Sequence, residues 1–516
     1  MARLSAPQCT QSCHCAGRAY LGVKFKRALA GTLAAGVILG VGELIAVPFG
    51  PNSSPFFAVG SAVVDNTPES VREWAIDTFG TSDKAALFIG MALVIALISA
   101  AAGLLRRPLG AVLFGVLGAL GVLAAVTRST ATPLSALPTI LGVAAGIVVL
   151  HALIRTTDEP SEGMTRRSFL GLAMAAGVVA VAAGTAGRLI TQARDVTANR
   201  LGFMLPTPTP QPPIPAGTDL RIDGLASYIT PNEDFYRIDT ALVIPQVASD
   251  TWSLRIHGMV EKELVITFED LASRDAVERT VTLTCVSNIV GGDLVGNATW
   301  IGYPLKDLLE EAGIFDDADM VLSSSHDAFT AGTPLEVLLD GRDALLAVGM
   351  NGQPLPVEHG YPARLVVPGL YGYVSATKWV TDLEVTRFDK ATAYWTDRGC
   401  SELGPVKTAS RIDTPRSGSA VSAGPLVIAG VAWKQHTGIA GVDVQIDEGD
   451  WIPAELSEEY SVDTWRQWTY QWDATPGDHT IRARATDRTG DIQTSTTADT
   501  VPDGATGYPT AFVTVK

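Results

Sequence analysis

The strongest constraint on this chain of 516 residues is a set of five long apolar stretches near its N-terminus. Each is long enough to cross the roughly 30 Å hydrocarbon core of a bilayer as an α-helix. We therefore predict an N-terminal α-helical transmembrane bundle over residues 28–190, preceded by a cytoplasmic tail over residues 1–27. The apolar stretches are residues 28–49, 85–105, 109–126, 134–154 and 169–187.

Basic residues between the stretches predict how the bundle is oriented. The segments on one side carry Lys24, Lys26, Arg27, Arg106, Arg107, Arg155, Arg166 and Arg167, and those on the other carry only Arg72, Lys84 and Arg128. The five stretches predict a multi-pass protein of the cell membrane. Because cytoplasmic loops are enriched in Lys and Arg, the segments rich in these residues are predicted to lie on the cytoplasmic side. The C-terminal part of the chain then lies on the extracytoplasmic side.

The fifth stretch follows a short string that resembles a twin-arginine export signal. The string is Thr165-Arg166-Arg167-Ser168-Phe169-Leu170, placed inside the chain rather than at its N-terminus. The alternative is a plain anchor whose arginines only mark the cytoplasmic side.

Charge divides the chain into two halves. Residues 1–199 hold 15 Lys+Arg and 10 Asp+Glu, so the remainder holds 23 and 44 and carries a net charge of −21. Nucleic-acid and anionic-lipid binding both need a basic surface, so the acidic half argues against them. Five cysteines in the whole chain also exclude a disulfide-dense scaffold.

Composition predicts two domains after the membrane part. The string PTPTPQPPIP at residues 206–215 predicts an extended spacer, so residues 191–217 are assigned as a Pro-rich linker. Short alternating strands with a few helices predict an α+β domain over residues 218–392. From residue 410 to residue 516 the pattern is strand and turn throughout, which indicates an immunoglobulin-like β-sandwich.

Cys285 is the first candidate for chemistry, because it ends an alternating strand and is followed by Gly291 and Gly292. A thiolate at such a place suits a soft metal, and glycines let backbone approach a ligand. Taken alone, this signal is weak. A buried structural thiol or a disulfide with Cys400 would explain it as well.

Longer strings around Cys285 carry a family resemblance. They are Thr230-Pro231-Asn232-Glu233-Asp234-Phe235-Tyr236-Arg237, Leu283-Thr284-Cys285-Val286-Ser287-Asn288, Asn351-Gly352-Gln353-Pro354-Leu355-Pro356, His359-Gly360-Tyr361-Pro362, Arg364-Leu365-Val366-Val367-Pro368-Gly369 and Lys378-Trp379. In this order and at these separations they resemble the molybdenum-binding domain of the sulfite oxidase family. The C-terminal sandwich is similar to the family's dimerisation domain, although this likeness is less specific.

The resemblance implies a molybdenum–molybdopterin cofactor, with Cys285 as the protein ligand of the metal. It places the other site residues around the pterin: Tyr236, Arg237, Ser325, His359, Arg364, Ser375, Ala376, Thr377 and Lys378. Arg364 and Lys378 would neutralise the pterin phosphate. Each residue alone has a simpler explanation, since the two cations could form surface ion pairs and His359 could belong to a turn.

A catalytic role is expected for Arg237, which could hold an incoming oxyanion. Sulfite-oxidising members carry a tyrosine at the position of Val348, and its loss makes sulfite itself a doubtful substrate. We therefore expect oxygen-atom or two-electron transfer on a small oxyanion or a sulfoxide, with a separate cytochrome or quinone-linked electron partner and a possible homodimer through the C-terminal domain. The alternatives are a reductase of methionine sulfoxide and similar sulfoxides, and a cofactor-free envelope adhesion or scaffold protein.

Overall fold

The computed structural model describes residues 10–68, 71, 74–75, 78–79, 82–128, 131–158, 166–193 and 196–516. The chain divides into two compact units, Met1–Asp195 and Val196–Lys516. Each unit is described by itself below. Thr165, the first residue of the arginine-containing string, lies outside the described residues.

The first unit is helical. Its α-helices are α1 (Thr10–Ala46), α2 (Pro55–Asp65), α3 (Asp83–Leu104), α4 (Arg107–Val126), α5 (Leu137–Asp158) and α6 (Arg166–Ala193). Five segments of the described chain are long and apolar enough to cross a membrane: Gly22–Phe49, Lys84–Leu104, Arg107–Val126, Pro133–Thr157 and Arg167–Ile190. The five predicted apolar helices are thus confirmed as helices that could span a membrane.

Helix α1 packs against α3, α5 and α6. Glycines lie where these backbones meet, since a Cβ atom on Gly31 would overlap the backbone oxygen of Ser99 and one on Gly40 would overlap that of Ala180. Small residues at such contacts allow helices to approach closely, which is the usual way that apolar helices associate in lipid.

The second unit begins with an α+β domain, as predicted. Its strands are β1 (Ser253–Gly258), β2 (Leu264–Thr267), β3 (Val277–Thr284), β4 (Val295–Pro304), β5 (Met320–Ser325), β6 (Thr330–Pro334), β7 (Leu345–Met350), β8 (Gln353–Pro354), β9 (Arg364–Val366) and β10 (Val380–Thr386). Its helices are α7 (Thr197–Gly202), α8 (Phe268–Leu271), α9 (Leu305–Ala312), α10 (Leu335–Leu339) and α11 (Gly372–Ser375).

These strands form two sheets. One has the order β3-β4-β7-β8 with β9 paired to β7, and the other has the order β2-β1-β10-β5-β6. Strand β3 therefore lies at the edge of its sheet.

Helix α9 forms where apolar residues repeat at helical spacing. Its buried residues are Leu305, Leu308, Leu309 and Ala312, and Gly313 ends the helix with φ 71°.

The C-terminal domain is the predicted immunoglobulin-like sandwich. Its strands are β11 (Ala409–Thr414), β12 (Ser419–Val421), β13 (Gly424–Trp433), β14 (Ile439–Ile446), β15 (Ile452–Pro453), β16 (Glu455–Leu456), β17 (Arg466–Ala474), β18 (Gly477–Asp487) and β19 (Thr510–Val515). The two sheets have the orders β11-β13-β17-β16 and β12-β19-β18-β14-β15. Ile428 and Trp468 from one sheet pack with Val442 and Ile481 from the other, which closes a single core.

The Pro-rich segment, predicted as an extended spacer, is hydrogen-bonded to other parts of the second unit. The Thr209 amide donates to the Ala276 carbonyl at 2.8 Å, and the Glu278 amide donates to the Thr209 carbonyl at 3.2 Å. The Tyr460 hydroxyl also donates to the Pro212 carbonyl at 2.8 Å. An extended backbone leaves its N–H and C=O groups available, and here the edge of the α+β domain and the sandwich bind them.

Candidate functional site

Cys285 lies directly after β3, at the edge of a cavity. Its amide donates to the Leu294 carbonyl at 3.0 Å, which fixes the turn after the strand. The side chain is 8% exposed, and neither Cys285 nor Cys400 forms a disulfide. The disulfide alternative for Cys285 is therefore wrong. Burial raises the pKa of the thiol, and hydrogen bonds from Ser287 and the charge of Lys378 oppose that rise.

The cavity is open to solvent at its mouth, and its empty volume of about 1000 Å³ includes part of that open solvent. Six of the predicted site residues line it: Tyr236, Cys285, Ser325, Arg364, Ala376 and Lys378. They come from the loop before β1, from the ends of β3 and β5, from β9, and from the turn between α11 and β10. Residues far apart in sequence thus meet on one wall.

The other four predicted residues lie around this wall rather than on it. His359 is buried behind Arg364, whose Nη1 donates to the His359 carbonyl at 3.2 Å. Ser375 and Thr377 are fully buried, and their hydroxyls bond to the Tyr371 carbonyl at 2.9 Å and the Ser323 hydroxyl at 2.7 Å. They hold the shape of the turn that presents Lys378.

Arg237 is placed at the exposed rim. Its Nε donates to the Asp239 carboxylate at 2.8 Å, and its side chain is 38% exposed. The guanidinium is therefore already occupied by a carboxylate.

Arg364 is buried without an acidic partner. Its side chain donates to the carbonyls of Leu365 and His359 at 3.3 and 3.2 Å and stacks 5.0 Å over the Trp300 ring. Among the described residues no carboxylate lies within ion-pair distance of it. Burial lowers the pKa of Arg364 to about 10. An uncompensated buried cation is costly, so the site is built to receive an anion.

Lys378 supplies a second buried cation. Its Nζ donates to the Asp239 carboxylate at 3.2 Å and to the Glu358 carbonyl at 3.1 Å. Burial lowers the pKa of Lys378 to about 8, although the Asp239 charge opposes that effect. Asp239 was not predicted from the sequence, and it joins Lys378 to Arg237. Its only sequence signal is its position two residues after Arg237.

His359 offers an unused acceptor. Its Nε2 lies 3.2 Å from the Asn232 carbonyl, and its Nδ1 is buried with no hydrogen-bond partner among the described residues. Burial, together with the charges of Lys378 and Arg364, lowers the pKa of His359 to about 3. The ring is therefore neutral, with Nε2–H as the donor and a bare Nδ1.

Two phenols reach the cavity. Tyr236 stacks on Phe235 at 5.1 Å between ring centroids and lines the cavity. Burial and then the Cys285 sulfur raise the pKa of Tyr236, while Arg364 lowers it. The Tyr373 hydroxyl instead donates to the Ser401 carbonyl at 2.6 Å. Val348 is fully buried in β7 and does not line the cavity.

Several lining residues escaped sequence reasoning because they come from distant segments. Some of them lie outside the motif strings of the α+β domain: Phe329, Trp395 and Cys400. Others come from the long segment between β18 and β19 of the sandwich: Thr500 and Val501. No motif marks them. Ser325 was predicted, and its hydroxyl donates to Asp327, a second carboxylate on the wall, at 2.5 Å.

The residues present fit a metal–pterin cofactor that carries a phosphate. Cys285 is a soft sulfur donor at the cavity wall, Arg364 and Lys378 are buried cations, and the Nδ1 atom of His359 is an acceptor that no described residue donates to. The free thiol and a buried guanidinium with no carboxylate partner among the described residues lie in one cavity, as expected for the molybdopterin-dependent oxidoreductases that the sequence resembles.

Comparisons with known proteins agree with this class. The profile of the family described as "Oxidoreductase molybdopterin binding domain" matches residues 241–395, and that of "Bacterial Ig domain" matches residues 409–483. The protein named "Uncharacterized oxidoreductase YuiH" from Bacillus subtilis is 32% identical over 148 residues, which cover 29% of this chain and 71% of that protein. Mitochondrial sulfite oxidase from Rattus norvegicus is 30% identical over 291 residues, covering 47% and 52%.

The chain belongs to the sulfite oxidase family of molybdopterin-dependent oxidoreductases, and molybdenum–molybdopterin is the cofactor of its α+β domain. It spans about half the length of the sulfite oxidases that it matches. Among solved structures, the sulfane dehydrogenase SoxCD from Paracoccus pantotrophus aligns with 55% of this chain and 81% of its own, with 26% identity and a TM-score of 0.49.

Proposed function

We propose that this protein transfers an oxygen atom or two electrons at a molybdopterin centre held by Cys285. The observation that carries the proposal is the free Cys285 thiol on the wall of a cavity that also contains the buried Arg364, which has no carboxylate partner among the described residues. When bound, the cofactor would supply a two-electron couple and a site for oxygen-atom exchange.

The chain's own residues have separate tasks in this proposal. Arg364 and Lys378 bind the pterin phosphate, and neutral His359 accepts a hydrogen bond from the pterin through Nδ1. Ser325 and the turn at residues 375–378 shape the wall. Tyr236 keeps its proton because its pKa is raised, so its hydroxyl can donate to an oxygen atom of the substrate.

The charges on the wall favour a neutral sulfoxide over sulfite as substrate. Asp239 pairs with Lys378, Asp327 adds a second carboxylate to the wall, and the proposal assigns Arg364 and Lys378 to the pterin phosphate. Arg237 is held by Asp239 at the rim, so the expected oxyanion-binding arginine is not free. A doubly charged oxyanion would thus find no spare cation, whereas a sulfoxide needs only a hydrogen-bond donor.

Apolar side chains in the cavity lining agree with a sulfoxide that carries an apolar substituent. Phe329, Trp395 and Val501 line the cavity, and the 36% exposure of Val501 places it on the solvent side of the lining. Reduction of methionine sulfoxide and similar sulfoxides is therefore the favoured reaction within the proposal, with transfer on a small oxyanion as the second candidate.

The proposed location is the extracytoplasmic face of a membrane, with a cytochrome or quinone-linked protein as electron partner. Support comes from the five helices that could span a membrane and from the one-sided distribution of Lys and Arg. A homodimer through the sandwich also belongs to the proposal. Replacing Arg166 and Arg167 by lysine tests the export signal, because a plain anchor would keep its orientation in a protease-accessibility assay.

Metal analysis and enzyme assays test the chemistry. Purified full-length protein, made in cells that synthesise the cofactor, should hold about one molybdenum per chain, and it should reduce sulfoxides with reduced dyes faster than it oxidises sulfite. Protein without molybdenum would instead support the scaffold alternative. Faster oxidation of sulfite would reject the sulfoxide assignment and keep the oxidoreductase.

A further inference from the structure

We propose that Gln435 of the immunoglobulin-like domain is a positioning residue for Cys285, acting through the edge strand β3. The inference rests on the proposed role of Cys285 as the metal ligand. It assigns the sandwich a part in the active site that is separate from dimerisation.

Hydrogen bonds from the sandwich cover the open edge of β3. The Thr282 amide donates to the Asp463 carbonyl at 3.0 Å, and the Trp465 amide donates to the Thr282 hydroxyl at 2.8 Å. Gln435 completes this edge, since its Nε2 donates to the Thr282 carbonyl at 3.0 Å and to the Thr284 hydroxyl at 2.9 Å. A side-chain amide thus does what a neighbouring strand would do for an edge strand.

The contact spans the last residues before the thiol. Thr284 directly precedes Cys285, so the Gln435 amide fixes the end of the strand from which the sulfur projects into the cavity. Gln435, Thr282 and Thr284 are 3%, 1% and 2% exposed, so water cannot replace the amide. Without Gln435 the Thr282 carbonyl would be buried without this donor.

The orientation of the amide indicates that its donor end matters. The Oε1 atom of Gln435 is buried and has no hydrogen-bond partner among the described residues. An unsatisfied acceptor destabilises a fold. It is tolerated here where the same side chain binds the strand that carries Cys285.

A second buried glutamine, Gln467, is a control for the general loss of stability that follows when a hydrogen bond between the two domains is removed. Gln467 accepts from the Leu220 amide at 2.7 Å and donates to the Ala226 carbonyl at 2.8 Å, and its side chain makes no hydrogen bond to β3, all of whose residues the structure describes. Gln445 is a surface control, since its amide donates to the Gly449 carbonyl at 2.8 Å within the sandwich.

The experiment compares Gln435→Met, Gln467→Met and Gln445→Met in the full-length protein. Amide hydrogen exchange and the alkylation rate of Cys285, assigned by peptide mapping, are measured on cofactor-free protein, and the paramagnetic resonance of molybdenum on loaded protein. Gln435→Met should speed exchange at residues 282–285 and alkylation of Cys285 by about tenfold, and it should change the resonance parameters. Gln467→Met should lower the unfolding temperature and leave all three readouts unchanged.

The proposal is wrong if Gln435→Met has the same amide exchange rates, Cys285 alkylation rate and molybdenum resonance as the wild type. It is also wrong if Gln467→Met changes these three readouts as much as Gln435→Met does. If Gln435→Met does not fold, Thr284→Val removes one of the two acceptors with little change in volume, and it should reproduce the faster exchange. Wild-type protein without a molybdenum signal would refute the proposed function instead, while exchange and alkylation on cofactor-free protein still decide the role of Gln435.

Discussion

A buried guanidinium with no carboxylate partner among the described residues should destabilise the cofactor-free fold and stabilise the bound cofactor. Arg364→Met should separate these two effects. Burial lowers the pKa of Arg364 from 12.5 to about 10. At about 1.4 kcal/mol for each tenfold change in the protonation equilibrium, its charge destabilises the cofactor-free fold by about 3 kcal/mol. The substitution also removes two hydrogen bonds to backbone carbonyls, each worth about 1 kcal/mol. The free energy of unfolding should therefore change by less than about 1 kcal/mol.

Cofactor binding should respond very differently to the same substitution. A charge-assisted hydrogen bond to a phosphate contributes about 1.5–3 kcal/mol, so retention of the cofactor should fall by roughly 10- to 100-fold. Denaturation of the cofactor-free protein in detergent, followed by tryptophan fluorescence, gives the first quantity, and pterin content after dialysis gives the second.

Arg342 is the matched control for this experiment. It is ion-paired with Asp340 and donates to the Pro368 carbonyl at 2.8 Å, and its side chain is only 12% exposed. Arg342→Met should lower the free energy of unfolding and leave cofactor retention unchanged. A loss above about 3 kcal/mol in cofactor-free Arg364→Met would refute the reasoning, because that is the cost of breaking a buried ion pair.

Three further predictions concern the same site. Cys285→Ser should abolish turnover while protein level and pterin content stay near wild type, and activity near wild type would reject the ligand assignment. Because the pKa of Lys378 is lowered to about 8, its positive charge is present below that pH and lost above it, so the cofactor should bind more weakly at pH ~9.5 than at pH ~7. Lys378→Arg should make cofactor binding less dependent on pH, and an unchanged pH dependence in this variant would contradict the prediction. Gly360 has φ 109° and a Cβ there would lie 3.0 Å from the Arg364 Cβ and 3.1 Å from the Lys378 Cα, so Gly360→Ala should release the cofactor; Gly341→Ala, with φ 93° in open space, should affect stability alone.

Much of the architecture follows from sequence periodicity. Long apolar runs predict the N-terminal helices because helix length and hydropathy are local properties. The sandwich follows from strands separated by turn residues, and helix α9 from apolar spacing closed by Gly313. The Pro-rich segment was predicted as an extended spacer, but its hydrogen bonds to the α+β domain and the sandwich could not be predicted, because composition describes backbone stiffness and not the surface that binds the segment.

The site was predictable only where motifs carry it. Cys285, Arg364 and Lys378 lie in strings with family resemblance, and the structure brings all three to one cavity. Arg237 was expected beside the substrate; its side chain is 38% exposed and pairs with Asp239. Such pairing depends on side-chain geometry, which spacing does not contain. Thr500 and Val501 could not be predicted, since more than two hundred residues separate them from Cys285.

The segment between β18 and β19 has a consequence for how such enzymes diversify. Thr500 and Val501 belong to a loop of the sandwich, yet they line the same cavity as Cys285, which we propose to be the substrate site. Changes in the length or sequence of this loop can alter which molecules enter without touching the strands that hold the metal ligand. New specificities can therefore arise in one domain while the redox chemistry stays encoded in another.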